Sequence, residues 1–155
     1  ENVEFTMTGQ AANLGRYSSH WHNLAPGRNI DVADKAYLRN NSYHDTFQRC
    51  SVVHGTDFAV VKDNVCHKSH GHAFFTEIGD EDFALFEHNL AVNALPHHLL
   101  LDDDQDAACF WMAGFTGWHR HNLAANCIRG WRLRKLGTGE SQTDMTFFNN
   151  SAHAC

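Results

Sequence analysis

The chain has 155 residues, a length typical of one domain, and a formal net charge of −6 with its histidines neutral. This charge argues against a nucleic-acid partner, because the one basic cluster, Arg129–Lys135, is better interpreted as a solvated loop than as a phosphate-binding stripe. No apolar run approaches the roughly 18 residues that a membrane span needs. The chain begins inside a strand-like run and stops just after a repeat has started, so we expect a segment of a longer polypeptide.

The first 22 residues alternate apolar runs with a glycine-rich turn, which predicts two β-strands. His20 and His22 both belong to the second strand. Because side chains two positions apart on a strand point to the same face, we expect their imidazoles to lie side by side, about 7 Å apart along the chain. Residues 23–36, with a proline and a glycine, predict a loop that leaves the main structure.

Residues 37–93 contain a repeat. Arg39–His44 and Lys62–His67 share a basic residue, a polar residue, an Asn and a His at matching positions, 23 residues apart. The same offset aligns His54 with Glu77. Further copies of the motif begin at Glu87–Leu90 and Asn149–His153.

Repetition at this period, with short aromatic or β-branched runs in each unit, is typical of a solenoid. We therefore predict an all-β fold, a right-handed parallel β-helix that forms one domain over residues 1–155. The recurring Asn suits a left-handed corner, and stacked Asn amides can bond from winding to winding. The alternative is chance similarity within an ordinary β-rich domain. The runs concerned are Cys50–Val53, Phe58–Val61, Ala73–Thr76 and Phe83–Phe86.

Residues 94–106 interrupt the repeats and end in the acidic run Asp102–Asp106. Carboxylates can hold calcium, but this run lacks the spaced ligands and the glycine of an EF-hand, so we interpret it as a solvated loop. Strands are expected to resume at Cys109–Met112 and at Met145–Phe148.

The five cysteines include no CxxC pair, which disfavours a structural zinc site made of thiolates. Isolated cysteines in strand-like runs most often serve as small core residues. One or two disulfides in an oxidising compartment are the alternative.

Thirteen histidines are the outstanding feature of the composition. If the repeat sets the stacking, His22, His54 and Glu77 lie in one column, with neighbours about 4.8 Å apart, and His20 lies beside His22. His20, His22 and His54 are then candidate ligands for zinc or another divalent transition metal. Without a metal, His54 and Glu77 are suited to general acid–base catalysis on a polymer lying across the windings. The alternative is a hydrated polar stack without function.

Three segments match known motifs: Gly15–His22 resembles GRYPIHFH, His44–Thr56 resembles HHTFSRCVTVHGT, and Lys62–Glu77 resembles KDNVGYNSLGHCFFTE. In these motifs the chain resembles the cell-surface hyaluronidase family and the related repeats of fibrocystin-L. The motifs occur in the same order and with matching spacing as in the family. The resemblance implies a right-handed parallel β-helix in an extracellular or cell-surface protein. It also implies calcium-dependent depolymerisation of hyaluronan, as in some members.

The resemblance and the column together give a functional hypothesis. A hyaluronan-like polysaccharide lies along the column, with Glu77 as general acid and His54 as base or orienting partner. Arg16 contacts a uronate carboxylate, which suits the geometry of a guanidinium group. Trp21 and His72 are candidate sugar contacts, with roles in the core as their alternative. A non-catalytic structural solenoid and a histidine-rich metal-binding module remain alternative functions.

Overall fold

The computed structural model describes residues 1–25, 36–114, 116–134 and 145–155. These residues form sixteen β-strands and one short 3-10 helix, Asp102–Asp106, and contain no α-helix. Most of the loop predicted at residues 23–36 lies outside the described residues, although Asn23–Ala25 continue the second strand.

The strands form three parallel sheets, and neighbours within a sheet are always three strands apart in the chain. Each winding of the chain therefore contributes one strand to each sheet, which confirms the parallel β-helix. Sheet 1 contains β1 (Glu4–Thr6), β4 (Ser42–Thr46), β7 (Val65–His70), β10 (Leu90–Leu95), β13 (Leu123–Ala125) and β16 (Ser151–His153). Sheet 2 contains β2 (Ser19–Ala25), β5 (Ser51–Thr56), β8 (Phe74–Thr76), β11 (Ala108–Met112) and β14 (Arg129–Leu133). Sheet 3 contains β3 (Tyr37–Arg39), β6 (Val60–Lys62), β9 (Leu85–Glu87), β12 (Trp118–Arg120) and β15 (Thr146–Phe148).

The strand register follows the sequence repeat. Arg39 pairs with Lys62 in sheet 3, and His44 pairs with His67 in sheet 1. The 23-residue offset is thus the length of one winding, and the alternative of chance similarity is excluded. The later strands predicted from Cys109 and Met145 are present as β11 and β15.

The recurring Asn forms a ladder of side-chain amides along one corner. Each Nδ2 donates to the Oδ1 of the Asn in the next winding, at 3.0 Å in every step. Each Oδ1 also accepts the backbone N–H of the Asn one winding earlier. The members of this Asn ladder are Asn41, Asn64, Asn89, Asn122 and Asn150.

One detail of the corner differs from the expectation. The left-handed backbone belongs to the residue before each ladder Asn, whose own φ is not positive. The Asn is selected by its amide hydrogen bonds, whereas the preceding position accepts several residue types. The left-handed residues are Asn40 (φ 55°), Asp63 (φ 56°), His88 (φ 52°), His121 (φ 57°) and Asn149 (φ 49°).

Inside the solenoid, side chains at equivalent positions of successive windings stack on one another. Phe74 stacks on Phe110, and Phe110 on Trp131, with ring centroids 5.2 and 4.9 Å apart. Four of the five cysteines form disulfides rather than free core thiols, Cys50–Cys66 and Cys109–Cys127. The alternative of two disulfides is therefore the correct one.

The acidic run is not a solvated loop throughout. Asp104, in the middle of the 3-10 helix, has no exposed surface, and its carboxylate receives two hydrogen bonds from the guanidinium of Arg49, at 2.8 and 3.0 Å. Gly71 makes room for this carboxylate, because a Cβ there would lie 2.7 Å from Asp104 Oδ1. The excursion therefore packs against the outside of sheet 2, and it begins only after Leu95, where β10 ends.

Candidate functional site

The outer face of sheet 2 displays the polar column that the repeat predicts. β2 places His20 and His22 outward, and His22 pairs with His54 of β5 in the strand register. Glu77 directly follows β8, and its N–H donates to the carbonyl of Val53 at 3.1 Å. Glu77 thus lies one winding above His54. We call His20, His22, His54 and Glu77 the His–Glu column.

The four side chains form one connected cluster. Nδ1 of His54 lies 3.3 Å from Oε2 of Glu77, and Nε2 of His20 lies 3.9 Å from the same oxygen. The rings of His22 and His54 meet edge to face, with centroids 4.6 Å apart. His22 is exposed, whereas the other three side chains expose only 16–19% of their surface. The column is therefore a semi-enclosed cluster with one open side.

Two atoms of the column are buried without a hydrogen-bond partner, Nε2 of His20 and Oε2 of Glu77. Burial, together with the neighbouring imidazole of His22, lowers the pKa of His20 from 6.5 to about 4. His20 is consequently neutral at physiological pH and presents an available nitrogen lone pair or N–H group, depending on its tautomer.

Glu81 fixes the turn that carries Glu77. Its carboxylate is 3% exposed, and burial raises its pKa. It accepts backbone hydrogen bonds from residues next to both acid–base candidates. The donors are Gly55 (3.2 Å), Glu77 (3.3 Å), Ile78 (3.1 Å) and Gly79 (2.8 Å). One side chain therefore holds the chain beside His54 and the chain at Glu77 in a fixed relation.

A buried charged layer adjoins the column. The Arg49 guanidinium, bound to Asp104, lies 3.7 Å from the ring centroid of Phe75 and donates to Tyr17 Oη at 3.3 Å. Tyr17 in turn contacts the ring of His20 edge to face, with centroids 5.0 Å apart. This layer covers the apolar outer side of sheet 2 and supports the column from one side.

A cleft of about 390 Å³ opens next to the column. Its walls include Glu77 and the exposed acidic residues Asp102 and Asp103 at the start of the 3-10 helix. Its floor includes Phe75 and Trp111, whose rings stack 5.3 Å apart. The cleft can admit a small polar group or one unit of a polymer, and it is acidic along one wall.

The structure does not bring the three predicted substrate-binding residues to this cleft. His72 has no exposed surface: its Nδ1 accepts the N–H of Ala108 at 2.9 Å, and burial lowers its pKa to about 3. Trp21 points to the interior and packs against the core. Arg16 is exposed, but it lines a separate shallow pocket near Thr8. His72 and Trp21 therefore have the alternative structural roles.

Arg49, Asp104 and Glu81 help to build the site, although no pattern in the sequence predicts it. The signal for Arg49 and Asp104 is weak, because they are 55 residues apart and Asp104 lies in a segment without a repeat counterpart. Glu81 also has no distinctive sequence pattern, because its carboxylate bonds backbone groups.

The donors of the column do not fit calcium, the ion that the family resemblance implies. Calcium takes six to eight oxygen ligands, whereas the column offers three imidazoles and one carboxylate. In the acidic run, Asp104 is bound to Arg49, and Asp106 is bound to Arg129 and Arg132. His20, His22 and His54 form the one group of three or more possible ligands among the described residues, with their ligand atoms within 4.8 Å of one another.

Comparison with known proteins identifies the family. The family model described as CEMIP beta-helix matches residues 1–132. The chain belongs to the CEMIP β-helix family. Fibrocystin-L of Homo sapiens is 37% identical over 99% of the chain. The cell surface hyaluronidase CEMIP2 of Homo sapiens is 34% identical over 98% of the chain. The cell migration-inducing and hyaluronan-binding protein of Mus musculus is 37% identical over 70% of the chain.

The chain spans only a small share of these relatives: 4%, 14% and 8% of their respective lengths. No solved structure matches the chain. Within the described residues, no helix has the length and apolar character needed to cross a membrane.

Proposed function

We propose that this β-helix belongs to an extracellular or cell-surface protein that binds and depolymerises hyaluronan or a related polysaccharide at the outer face of sheet 2. The observation that carries the proposal is the contact between His54 and Glu77, 3.3 Å apart at the edge of an open cleft. Membership of a family that includes proteins named cell surface hyaluronidase supports the choice of substrate.

The pair can exchange a proton with a bound sugar. In glycoside hydrolysis an acid protonates the leaving oxygen, and a second group activates the attacking water or nucleophile. Glu77 acts as the acid, and His54, 3.3 Å away, holds its carboxylate in place, because a base in direct contact with the acid is too close to activate a water on the other side of the sugar. Asp102 and Asp103 line the same cleft and supply further carboxylates for the second role.

The shape of the solenoid suits a polymer. Outward side chains of sheet 2 repeat once per winding, so a chain lying across the windings meets equivalent positions at about 4.8 Å intervals. At the far end, the Arg132 guanidinium lies 4.6 Å from the ring centroid of Trp111, and the exposed Arg134 lies beyond it. Arg132 is paired with Asp106, so Arg134 and, at the other end, Arg16 are the candidates to bind uronate carboxylates.

The two disulfides support an extracellular location, because disulfides persist in oxidising compartments. The partner in this proposal is the polysaccharide. Nucleic acid is disfavoured by the net charge of −6.

The test is incubation of the full-length protein with high-molecular-weight hyaluronan, followed by size-exclusion chromatography of the products. We expect Glu77→Gln and His54→Ala to lower the cleavage rate by about 100-fold or more, in the range of a lost acid–base group. His88→Ala, an exposed histidine at a corner away from sheet 2, is the control and should cleave at the parent rate. Unchanged cleavage by both column variants would refute the assignment.

A second candidate, a non-catalytic structural solenoid, is favoured by one observation. Fibrocystin-L, whose name does not refer to hyaluronan, is 37% identical over 99% of the chain, so the same β-helix also occurs in a relative that is not named as a hyaluronidase. If the chain is a non-catalytic structural solenoid, the parent protein will not cleave hyaluronan in the same assay. Surface plasmon resonance with immobilised hyaluronan then separates binding without cleavage from no binding.

A further inference from the structure

We infer that His20, His22 and His54 form a binding site for a divalent transition-metal ion of the zinc class, with Glu77 at its edge. The ligand atoms of the three histidines lie within 4.8 Å of one another. A tetrahedral ion with metal–nitrogen distances of about 2.0–2.1 Å holds its ligands about 3.4 Å apart. The required contraction is therefore small.

Two of the three histidines are held in place by their surroundings, and the third is exposed. His20 and His54 sit on adjacent parallel strands of sheet 2 and expose less than a fifth of their side-chain surface. His22 is exposed, so its ring can rotate toward the other two without displacing core residues. Two fixed ligands and one adjustable ligand can close around an ion from the open side.

The unpaired atoms of the column are the second, independent observation. Nε2 of His20 and Oε2 of Glu77 are both buried without a hydrogen-bond partner, and they lie 3.9 Å apart. Buried polar atoms without partners are uncommon, because each costs about 1–3 kcal/mol. A bound cation would satisfy both atoms at once.

Glu77 has a definite place in such a site. Its Oε2 lies 3.3 Å from Nδ1 of His54 and 3.9 Å from Nε2 of His20, and it forms a hydrogen bond to neither. The carboxylate therefore faces the three histidines from the edge of the site. Its negative charge lowers the cost of bringing a cation into the semi-enclosed cluster.

The chemical class of the ion follows from the donors. Imidazole nitrogens suit zinc, copper, nickel and iron, whereas calcium and magnesium prefer oxygen. A three-histidine site leaves one position open for water or substrate, which is the arrangement of catalytic rather than structural zinc sites. The inference goes beyond the proposed function, because the ion can bind whether or not the protein cleaves a polymer.

The test is isothermal titration calorimetry of the EDTA-treated, purified protein with zinc chloride. We expect one equivalent of zinc to bind, and His22→Ala and His54→Ala each to weaken the affinity by at least about tenfold. His88→Ala is a matched control, because His88 is also exposed and its ring contacts another histidine, His121, at a tilt, with centroids 4.9 Å apart. Circular dichroism of each variant checks the fold.

Cobalt gives a second readout that does not depend on affinity. Visible absorption of the cobalt-loaded protein reports nitrogen coordination, and it should disappear in His22→Ala, whose exposed side chain can be removed without loss of the core. The inference is overturned if zinc does not bind stoichiometrically, or if the two column variants bind it as tightly as the parent. No polysaccharide is present in these titrations, so failure of the proposed function leaves their outcome unaffected.

Discussion

His119 shows how one buried residue links the stability of the fold to pH. It lies in the interior column of sheet 3, where its ring stacks on Phe86 with centroids 5.1 Å apart. Its Nδ1 is buried without a partner, and burial lowers its pKa from 6.5 to about 4. The folded state therefore resists protonation between pH 6.5 and 4, whereas the unfolded chain takes up the proton.

The protonation of buried histidines such as His119 makes the folded state less stable at low pH. A group whose pKa is lowered by folding stabilises the fold above the unfolded pKa, and this stability is lost as pH falls from 6.5 toward 4. The loss is about 1.4 kcal/mol per pH unit for each such histidine. His20 and His72, with pKa values of about 4 and about 3, contribute in the same direction.

We expect His119→Phe to stabilise the protein by about 1 kcal/mol at pH 7, because it removes an unpaired buried nitrogen and extends an aromatic stack. At pH 5 the stabilisation of the variant relative to the parent should be about 2 kcal/mol larger than at pH 7, because the variant no longer loses stability to protonation at this site. Urea unfolding at the two pH values measures both quantities. His153→Phe, at an exposed position, is the control, and an identical pH slope in parent and His119→Phe would contradict the explanation.

At the scale of elements, the 3-10 helix is held to sheet 2 by one buried ion pair. Arg49 and Asp104 are 2% and 0% exposed, and the guanidinium donates two hydrogen bonds to the carboxylate. Such a pair adds little stability compared with apolar side chains, but removing one partner leaves a buried charge without compensation. The pair therefore acts mainly to fix the position of the helix that forms one wall of the cleft.

We expect Asp104→Asn to destabilise the fold by about 3–5 kcal/mol, because it keeps the size of the side chain and leaves the Arg49 cation unpaired. Asp102→Asn, two residues earlier and exposed, should change stability by less than about 0.5 kcal/mol. Chemical denaturation measures both. The double replacement of Arg49 by Met and Asp104 by Leu should be less destabilised than Asp104→Asn, and a larger loss in the double variant would argue against an uncompensated charge.

At the scale of the whole molecule, the Asn ladder connects every winding from Asn41 to Asn150. Each internal member uses its amide fully: Asn89 accepts two hydrogen bonds, from Asn64, and donates to Asn122 and to the carbonyl of Val61. Removing one amide leaves donors unsatisfied in the winding below and an acceptor unfilled in the winding above.

We expect Asn89→Ala to lower the free energy of unfolding by about 2–4 kcal/mol, since buried groups in two adjacent windings lose their partners. Asn13→Ala serves as the control because its side chain is exposed and bonds only the nearby carbonyl of Ala11. Thermal and urea unfolding give the comparison. Equal stability of the two variants would show that water replaces the ladder without cost.

The fold is predictable from sequence because a β-helix converts a repeat offset into a spatial contact. The 23-residue offset places His54 below Glu77, and the structure has the two side chains 3.3 Å apart. Trp21, proposed from sequence as a sugar contact, lies between two outward histidines on β2 and packs against the core instead, as strand alternation requires. The contact of Arg49 with Asp104 is different, because the excursion that carries Asp104 follows no period and its packing depends on the whole surface.

The spacing along the Asn ladder has a further consequence. Successive members are 23, 25, 33 and 28 residues apart, yet the amide contact is 3.0 Å at each step. Windings of unequal length therefore keep the same amide contact at this corner. New binding loops could therefore be grafted into one winding while the others keep their geometry, which makes this architecture a modular scaffold for evolution and for engineering.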